Sequence, residues 1–278
     1  MTLFEAYKNS LKKLQNPDVE EINIRILLCE INGLKTMSDF YIHKDEDIRD
    51  LSRYLQYFDR FLNGEPVQYI LGKTTFLGQE FYVDKRVLIP RQESEEVVSF
   101  LIGEIQRLNL TSIFAADICA GSGVLGISLA KEFNLKNVIF SDISKDALEV
   151  TKINCEKHKI SPKIYCGSAL DELIKNNEKV NVLIANPPYI KQGEKVDNSV
   201  LNHEPHLALF ADDEFSVYKS IISNLNNIKK DSLLAVFELG DNDHSLIEKY
   251  VKEYCPDASY KFVNDMNGKE RMLSIYLK

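Results

Sequence analysis

The tetrapeptide Asn186-Pro187-Pro188-Tyr189 carries the combination of side chains best suited to chemistry. It follows the apolar run V-N-V-L-I-A at residues 180–185, which predicts a buried strand, and ligands of open α/β sheets bind at the carboxyl ends of strands. Two consecutive prolines have a fixed φ and no N–H, so this backbone is stiff and offers only carbonyl oxygens. An Asn side-chain oxygen, a bare carbonyl and a flat Tyr ring suit a planar group bearing an NH2, either an amide or the exocyclic amine of a nucleobase. The alternative is a loop that simply ends a strand.

A loop at residues 117–123, D-I-C-A-G-S-G, is the second candidate site. It lies between a strand predicted at 112–117 and a helix predicted at 124–133, where glycine lets a ligand approach the backbone and a helix N-terminus offers free N–H groups. The loop lacks the G-x-G-x-x-G fingerprint because Cys119 takes the place of the first glycine, and it lacks the G-K-[S/T] ending of a P-loop. Asp117 would repel a pyrophosphate but suits a cationic ligand with an amino group.

An acidic residue, Asp142, ends the next predicted strand, Asn137–Asp142. Its place, about twenty residues beyond the loop, suits a carboxylate that accepts hydrogen bonds from both hydroxyls of a ribose. Such an acid can also be only a helix-capping or loop residue. Beside the glycine loop and the N-P-P-Y tetrapeptide, we expect the ribose role.

The elements around these residues alternate between strand and helix. Strand patterns occur at 112–117, 137–142, 163–166, 180–185, 232–239 and 272–277, and helical patterns at 124–133 and 144–159. This alternation predicts an α/β domain with a doubly wound, mostly parallel sheet.

The beginning of the chain has a different pattern. Apolar residues recur there at helical spacing and stop at two Asn-Gly pairs, which predicts a small helical bundle. β-prone runs around Leu77-Gly78 then predict a hairpin. We therefore expect a helical domain at 1–72, a β-hairpin linker at 73–90 and the α/β domain at 91–278.

Composition limits the classes of function. No apolar run approaches the roughly 20 residues that cross a bilayer, and the first residues do not read as a signal peptide. Five cysteines without a C-x-x-C pair indicate reduced thiols, a cytoplasmic protein and no metal site. The net charge of −8 and scattered lysines argue against a nucleic-acid partner, because phosphate neutralisation requires a basic surface.

Taken together, these motifs resemble those of class I (Rossmann-like) methyltransferases that use S-adenosylmethionine and methylate amino groups. More narrowly, the chain resembles the PrmC/HemK family, which methylates the glutamine of the G-G-Q motif in class I peptide chain release factors. The stretches that carry this resemblance are P-V-Q-Y-I-L-G at 66–72, V-L-I-P-R-Q-E-S-E at 87–95, N-P-P-Y-I at 186–190, E-P-H-L-A-L at 204–209 and D-M-N-G-K-E-R at 265–271.

The resemblance implies a role for each candidate residue. Asn186 and Pro187 would accept the two N–H groups of the glutamine amide, Pro188 would complete the substrate site, and Tyr189 would lie against the amide plane. The cofactor would contact Asp117, Cys119, Ala120, Gly121, Ser122, Gly123, Asp142, Ser168, Ala169 and Asn186. The helical domain would recognise the release factor.

Two other functions remain open from the sequence. An N6-adenine DNA or RNA methyltransferase uses the same N-P-P-Y pocket but requires base flipping and a basic groove. A non-enzymatic nucleotide-binding scaffold would not need the complete acceptor motif. The sequence assigns no role to Glu95 or Glu204, and His203 and His206 are expected to be loop residues.

Overall fold

The computed structural model describes residues 1–14, 16–191, 193–194, 197–211 and 215–278. The chain divides into two separately packed units, Met1–Gly72 and Lys73–Lys278. Within the described residues, no helix combines the length and the apolar composition needed to cross a bilayer.

The first unit is helical. Its helices are α1 Leu3–Leu11, α2 Pro17–Asn32, α3 Met37–Ile42, α4 Leu51–Leu62 and α5 Val67–Leu71. Thr2 begins α1 with a capping box, and Gly33 ends α2 in the left-handed conformation that glycine adopts most easily. The side chains that α1 to α4 bury in a common core include Leu3, Leu27, Leu28, Phe40, Tyr54 and Phe58. The predicted helical bundle is therefore confirmed.

The second unit begins with a hairpin and continues as an α/β domain. Its first elements are β1 Lys73–Phe76, β2 Gln79–Tyr82, α6 Gln92–Arg107, β3 Ala115–Ile118, α7 Val124–Glu132, β4 Asn137–Asp142, α8 Lys145–His158 and β5 Ser161–Cys166. The elements after these are α9 Asp171–Lys175, β6 Val180–Ala185, β7 Ile190–Lys191, α10 Asn198–His203, α11 His206–Leu209, β8 Phe210–Ala211, α12 Ser216–Ile222 and α13 Leu225–Ile228. The last elements are β9 Lys229–Glu238, α14 Ser245–Tyr254, β10 Ser259–Asn264 and β11 Glu270–Leu277.

Seven of these strands form one sheet in the order β10-β11-β9-β6-β3-β4-β5. Strands β9, β6, β3, β4 and β5 are parallel, and β11 runs antiparallel to both of its neighbours. Chain order reverses between β3 and β6, so a crevice opens at the carboxyl ends of these strands. The predicted doubly wound, mostly parallel sheet is confirmed.

Helices cover both faces of the sheet. Helices α6, α7 and α8 bury apolar side chains in one core cluster, whereas α12, α13 and α14 bury theirs in another. The central strands β6 and β9 contain the apolar runs V-L-I-A and L-L-A-V-F because both of their faces are covered.

The predicted hairpin is formed by β1 and β2. Its two turn residues, Leu77 and Gly78, have φ values of 46° and 70°, as the tight turns that match strand twist require. The left-handed conformation disfavours leucine, but Glu95 at the start of α6 accepts a hydrogen bond of 2.8 Å from the Leu77 N–H. Glu95 therefore ties the turn of the hairpin to the α/β domain.

Gly126 in α7 allows this helix to pack closely on the sheet. An added Cβ would lie 2.6 Å from a ring carbon of Phe140 and 2.8 Å from the Cβ of Asp117. We expect Gly126→Ala to lower the free energy of unfolding by about 1–3 kcal/mol, because both neighbours are held in the sheet.

Gly103→Ala is the matched control for this prediction. Gly103 also lies in a helix, is exposed and has no atom within 4 Å of an added Cβ, so alanine there should raise stability by about 0.5–1 kcal/mol. Urea unfolding of both variants measures the difference. Equal effects of the two substitutions would contradict the close packing of α7.

Candidate active site

A cavity of about 330 Å³ lies at the carboxyl ends of β3, β4 and β6. Most of the residues predicted to bind cofactor or substrate line it, namely Cys119, Ala120, Gly121, Ser122, Asp142, Ser168, Ala169, Asn186 and Pro188. The lining does not include Asp117, Gly123, Pro187 or Tyr189. The structure thus brings the glycine loop, the acid that ends β4 and the N-P-P-Y tetrapeptide to one cavity.

The glycine loop depends on backbone conformations that other residues avoid. Gly121 and Gly123 have φ values of 55° and 79°, and a Cβ on Gly123 would lie 2.9 Å from Thr151. The Thr151 hydroxyl also donates a 2.8 Å hydrogen bond to the Gly121 carbonyl. Helix α8 therefore holds the loop against the start of α7, where free N–H groups favour polar ligands.

Cys119 takes a left-handed conformation with a φ of 58°. This conformation explains why glycine suits the position, since the left-handed region costs other L-residues roughly 1–2 kcal/mol of conformational free energy. Burial, together with the nearby Asp142 and Asp117 carboxylates, raises the pKa of the Cys119 thiol. The thiol is therefore neutral at pH 7 and does not act as a thiolate nucleophile.

Asp117 does not line the cavity but binds the first turn of α7, which follows the glycine loop. Its carboxylate is fully buried, and Oδ2 accepts a 2.8 Å hydrogen bond from the Gly126 N–H in the first turn of α7. Among the described residues, Oδ1 has no hydrogen-bond partner. Burial raises the pKa of Asp117 well above its usual value, against the Gly126 hydrogen bond, and Asp142 raises it further.

Asp142 lines the cavity at the end of β4. Its Oδ2 accepts a hydrogen bond of 2.9 Å from the Gly121 N–H, and its Oδ1 accepts one of 2.8 Å from the Ser144 N–H. Burial raises the pKa of Asp142, and these backbone donors oppose the shift. A carboxylate has about four acceptor positions, so capacity remains for a ligand diol.

Asn154 on α8 connects this loop to the hairpin. Its amide nitrogen donates to the carbonyls of Ser122 and Tyr82, each at 2.9 Å, and its oxygen accepts from the Tyr82 N–H at 2.7 Å. The side chain is fully buried and uses its acceptor and both donors. No motif in the sequence marked this residue; its only signal is an amide on the buried face of a helix.

The N-P-P-Y tetrapeptide follows β6 directly, and only two of its four residues line the cavity. Asn186 and Pro188 face the cavity, whereas Pro187 is buried. The Tyr189 ring packs on Gly240, where a Cβ would lie 2.5 Å from a ring carbon, and its carbonyl accepts a hydrogen bond from Asn242. Burial raises the pKa of Tyr189 to about 12, so its phenol stays neutral.

Glu238, which the sequence did not single out, lies beside Asn186. Glu238 ends β9, which pairs with β6 so that Phe237 lies opposite Ala185. Glu238 and Asn186 are the next residues on the two strands and are therefore neighbours. The Ser94 and Asn186 side chains lie close enough to the Glu238 carboxyl group to lower its pKa. The signal that could have found it is an acid closing the apolar run L-L-A-V-F-E.

Glu204 joins two segments that are distant in the sequence. Its Oε2 accepts a 3.0 Å hydrogen bond from the Ile89 N–H, and its Oε1 accepts one of 2.6 Å from the Arg91 guanidinium. Pro90 and Pro205, one from each segment, line the cavity. Glu204 therefore fixes one wall of the cavity, a role that the sequence did not reveal.

The remaining motif, at 265–271, forms a turn. Asp265 accepts hydrogen bonds from the Asn267 and Lys269 N–H groups, each at 2.9 Å, and shapes the connection from β10 to β11. Arg271 follows the turn, with its guanidinium 3.4 Å from the Leu239 carbonyl and 3.7 Å from the Asp265 carboxylate. The turn thus places a cation next to the end of β9.

Comparison with known proteins finds a matching family model in each of the two units. The family model described as "PrmC N-terminal domain" matches residues 3–72, and the model described as "Methyltransferase small domain" matches residues 97–204. The structure aligns at a TM-score of 0.54 and 12% identity with the 16S rRNA N2 G1207 methyltransferase of T. thermophilus, covering 74% of this chain and 49% of that chain. The fold is that of the class I methyltransferases.

Sequence relatives define the family. The chain is 36% identical over 244 residues to the release factor glutamine methyltransferase of Staphylococcus aureus, covering 86% of each protein. It is 33% identical over 285 residues to the protein of the same name from Bacillus subtilis, covering 98% of this chain and 96% of that protein. The chain belongs to the release factor glutamine methyltransferase family, as the sequence motifs predicted.

The Glu204 contacts lead to a testable prediction about the cavity wall. Glu204→Ala removes the acceptor of the Ile89 N–H and the partner of Arg91, so we expect a loss of about 1.5–3 kcal/mol in the free energy of unfolding. Glu149→Ala, which removes only an exposed pair with Lys152, should change it by less than about 0.5 kcal/mol. Denaturant titration compares the two, and equal losses would show that Glu204 does not hold the wall.

Proposed function

We propose that this protein transfers a methyl group from S-adenosylmethionine to the side-chain amide nitrogen of the glutamine in the G-G-Q motif of class I peptide chain release factors. The observation that carries the proposal is the position of Asn186 on the wall of the cavity that also contains Asp142. Membership in the release factor glutamine methyltransferase family supports the substrate class.

The cavity residues fit S-adenosylmethionine, which, when bound, supplies a methyl group on a positively charged sulfonium. Asp142 has acceptor capacity left for the two ribose hydroxyls, and the loop from Cys119 to Gly123 offers backbone groups to the rest of the cofactor. Ser168 and Ala169 are the residues that we assign to the adenine. Asp117 acts indirectly, by holding the first turn of α7.

A glutamine amide is a weak nucleophile because its nitrogen lone pair is delocalised into the carbonyl group. We assign the Asn186 side-chain oxygen and the Pro187 carbonyl as acceptors of its two N–H groups. Acceptors fixed in this way favour a pyramidal nitrogen and stabilise the positive charge that develops on it. Pro188 stiffens the tetrapeptide. The neutral Tyr189 ring, which packs on Gly240 outside the cavity lining, acts by holding the end of the tetrapeptide in position.

The first unit would recognise the release factor outside the reacting glutamine. Its surface carries several large apolar side chains, namely Ile22, Tyr41, Ile42, Leu55 and Leu62. Scattered exposed apolar residues are common, so the support for this role comes mainly from the match of residues 3–72 to the N-terminal domain of the family.

The free thiols of Cys29, Cys155 and Cys255 support a reducing, cytoplasmic setting.

Mass spectrometry of a release factor incubated with the protein and S-adenosylmethionine tests the proposed function. We expect a mass increase of one methyl group on the G-G-Q glutamine, and no increase on a release factor in which alanine replaces that glutamine. Adenine-containing DNA and RNA oligonucleotides are included as competing substrates. Methyl transfer to the oligonucleotides alone would replace the proposal with N6-adenine methylation.

Asn186→Ala tests the amide acceptor directly. The variant loses one preorganised acceptor, so we expect single-turnover methyl transfer to fall by about 10²-fold or more at saturating cofactor. The affinity for S-adenosylmethionine, measured by calorimetry, should fall less than the rate. Asn224→Ala, which alters an amide between α12 and α13, serves as a control with the wild-type rate. A wild-type rate for Asn186→Ala would exclude this mechanism.

A further inference from the structure

Glu238 is an unusual neighbour for a residue that must accept hydrogen bonds. It is 3% exposed, and its Oε2 has no hydrogen-bond partner among the described residues. Placing a carboxylate in such surroundings is unfavourable, so the fold keeps a costly group beside Asn186. A neutral or apolar residue would end β9 at a lower cost.

The hydrogen-bond chemistry of the pair explains what this carboxylate does. An ionised carboxylate can only accept hydrogen bonds, whereas the Asn186 amide has a donating NH2 on one side and an accepting oxygen on the other. Because β6 and β9 place Asn186 and Glu238 side by side, only the NH2 of Asn186 can face an ionised Glu238 favourably. The Asn186 oxygen is then left for another donor.

We propose that Glu238 is a positioning residue that fixes the orientation of the Asn186 amide, and that methyl transfer requires Glu238 to be ionised. The inference rests on the proposed function for its substrate, the glutamine amide, and adds a residue that does not touch that substrate. The cavity lining includes Asn186 and Ser94 but not Glu238, so the carboxylate acts through Asn186.

The groups around Glu238 place its ionisation near neutrality. The pKa of Glu238 is raised to about 7, mainly by burial. Glu93 also contributes to the increase, while Ser94, Arg271 and Asn186 oppose it. The hydroxyls of Tyr189 and Tyr218 also interact with it, and both stay neutral because burial raises their pKa values. Below about pH 7, the protonated carboxyl can donate to the Asn186 oxygen and compete with the substrate N–H.

The first measurement needs no methyl acceptor. In protein labelled with [15N]asparagine, the Asn186 side-chain NH2 resonances are identified by their absence in Asn186→Ala. We expect them to shift with an apparent pKa near 7 in the wild type and to stay constant in Glu238→Gln. Resonances that do not shift in the wild type would overturn the inference, whatever the substrate proves to be.

The second measurement is the pH dependence of single-turnover methyl transfer to a release factor at saturating cofactor. We expect the wild-type rate to fall about tenfold per pH unit below neutrality. Glu238→Gln, which can still present an oxygen to Asn186, should lose this acid limb and keep a reduced rate at high pH. Glu248→Gln, which alters an exposed pair with Lys252, should keep the wild-type profile.

The outcomes separate the inference from the proposed function. If the wild type transfers no methyl group to the release factor but the Asn186 resonances titrate, the proposed function is wrong and the positioning role stands. An acid limb that persists unchanged in Glu238→Gln would overturn the inference and leave the function in place. Cofactor affinity within about twofold of the wild type shows that the variant is folded.

Discussion

The parallel pairing of β3, β4, β6 and β9 is the constraint on which the site depends. Parallel strands end at the same edge of a sheet. Asp142 and Glu238 end β4 and β9 there, and Cys119 and Asn186 directly follow β3 and β6. A shift of one residue in any pair would turn the side chain to the other face. The cavity therefore depends on register in the apolar core, where the strands are fully buried.

Three acidic side chains on the strands that form this edge have raised pKa values, namely Asp117, Asp142 and Glu238. Burial is the main cause in each case, so each makes the folded state less favourable when it is charged. Asp142 is compensated by several backbone N–H groups, whereas Asp117 and Glu238 each keep one buried oxygen without a partner in the described residues. Such groups concentrate where function, rather than stability, determines the residue.

Local patterns predicted the centre of the sheet better than its edge. Asn137–Asp142 and Val180–Ala185 were predicted with the observed bounds, because buried strands carry continuous apolar runs. Strand β10, Ser259–Asn264, was missed because this edge strand buries no residue completely, includes a lysine and lacks the apolar run of the central strands. Asn154 and Glu204 bond partners 72 and 115 residues away in sequence, contacts that no local pattern contains.

The Glu204 contacts give a physical meaning to the stretches that resemble the release factor group. N-P-P-Y suits any methyl acceptor with an NH2, and the strand-end acid suits the ribose of the cofactor, so neither distinguishes an amide substrate from an adenine. The I-P-R and E-P-H-L stretches are particular to the resemblance, and Glu204 binds one to the other through Ile89 and Arg91. Both stretches line the cavity that Asn186 also lines, so the features particular to this resemblance lie on the wall of the same cavity as the N-P-P-Y tetrapeptide.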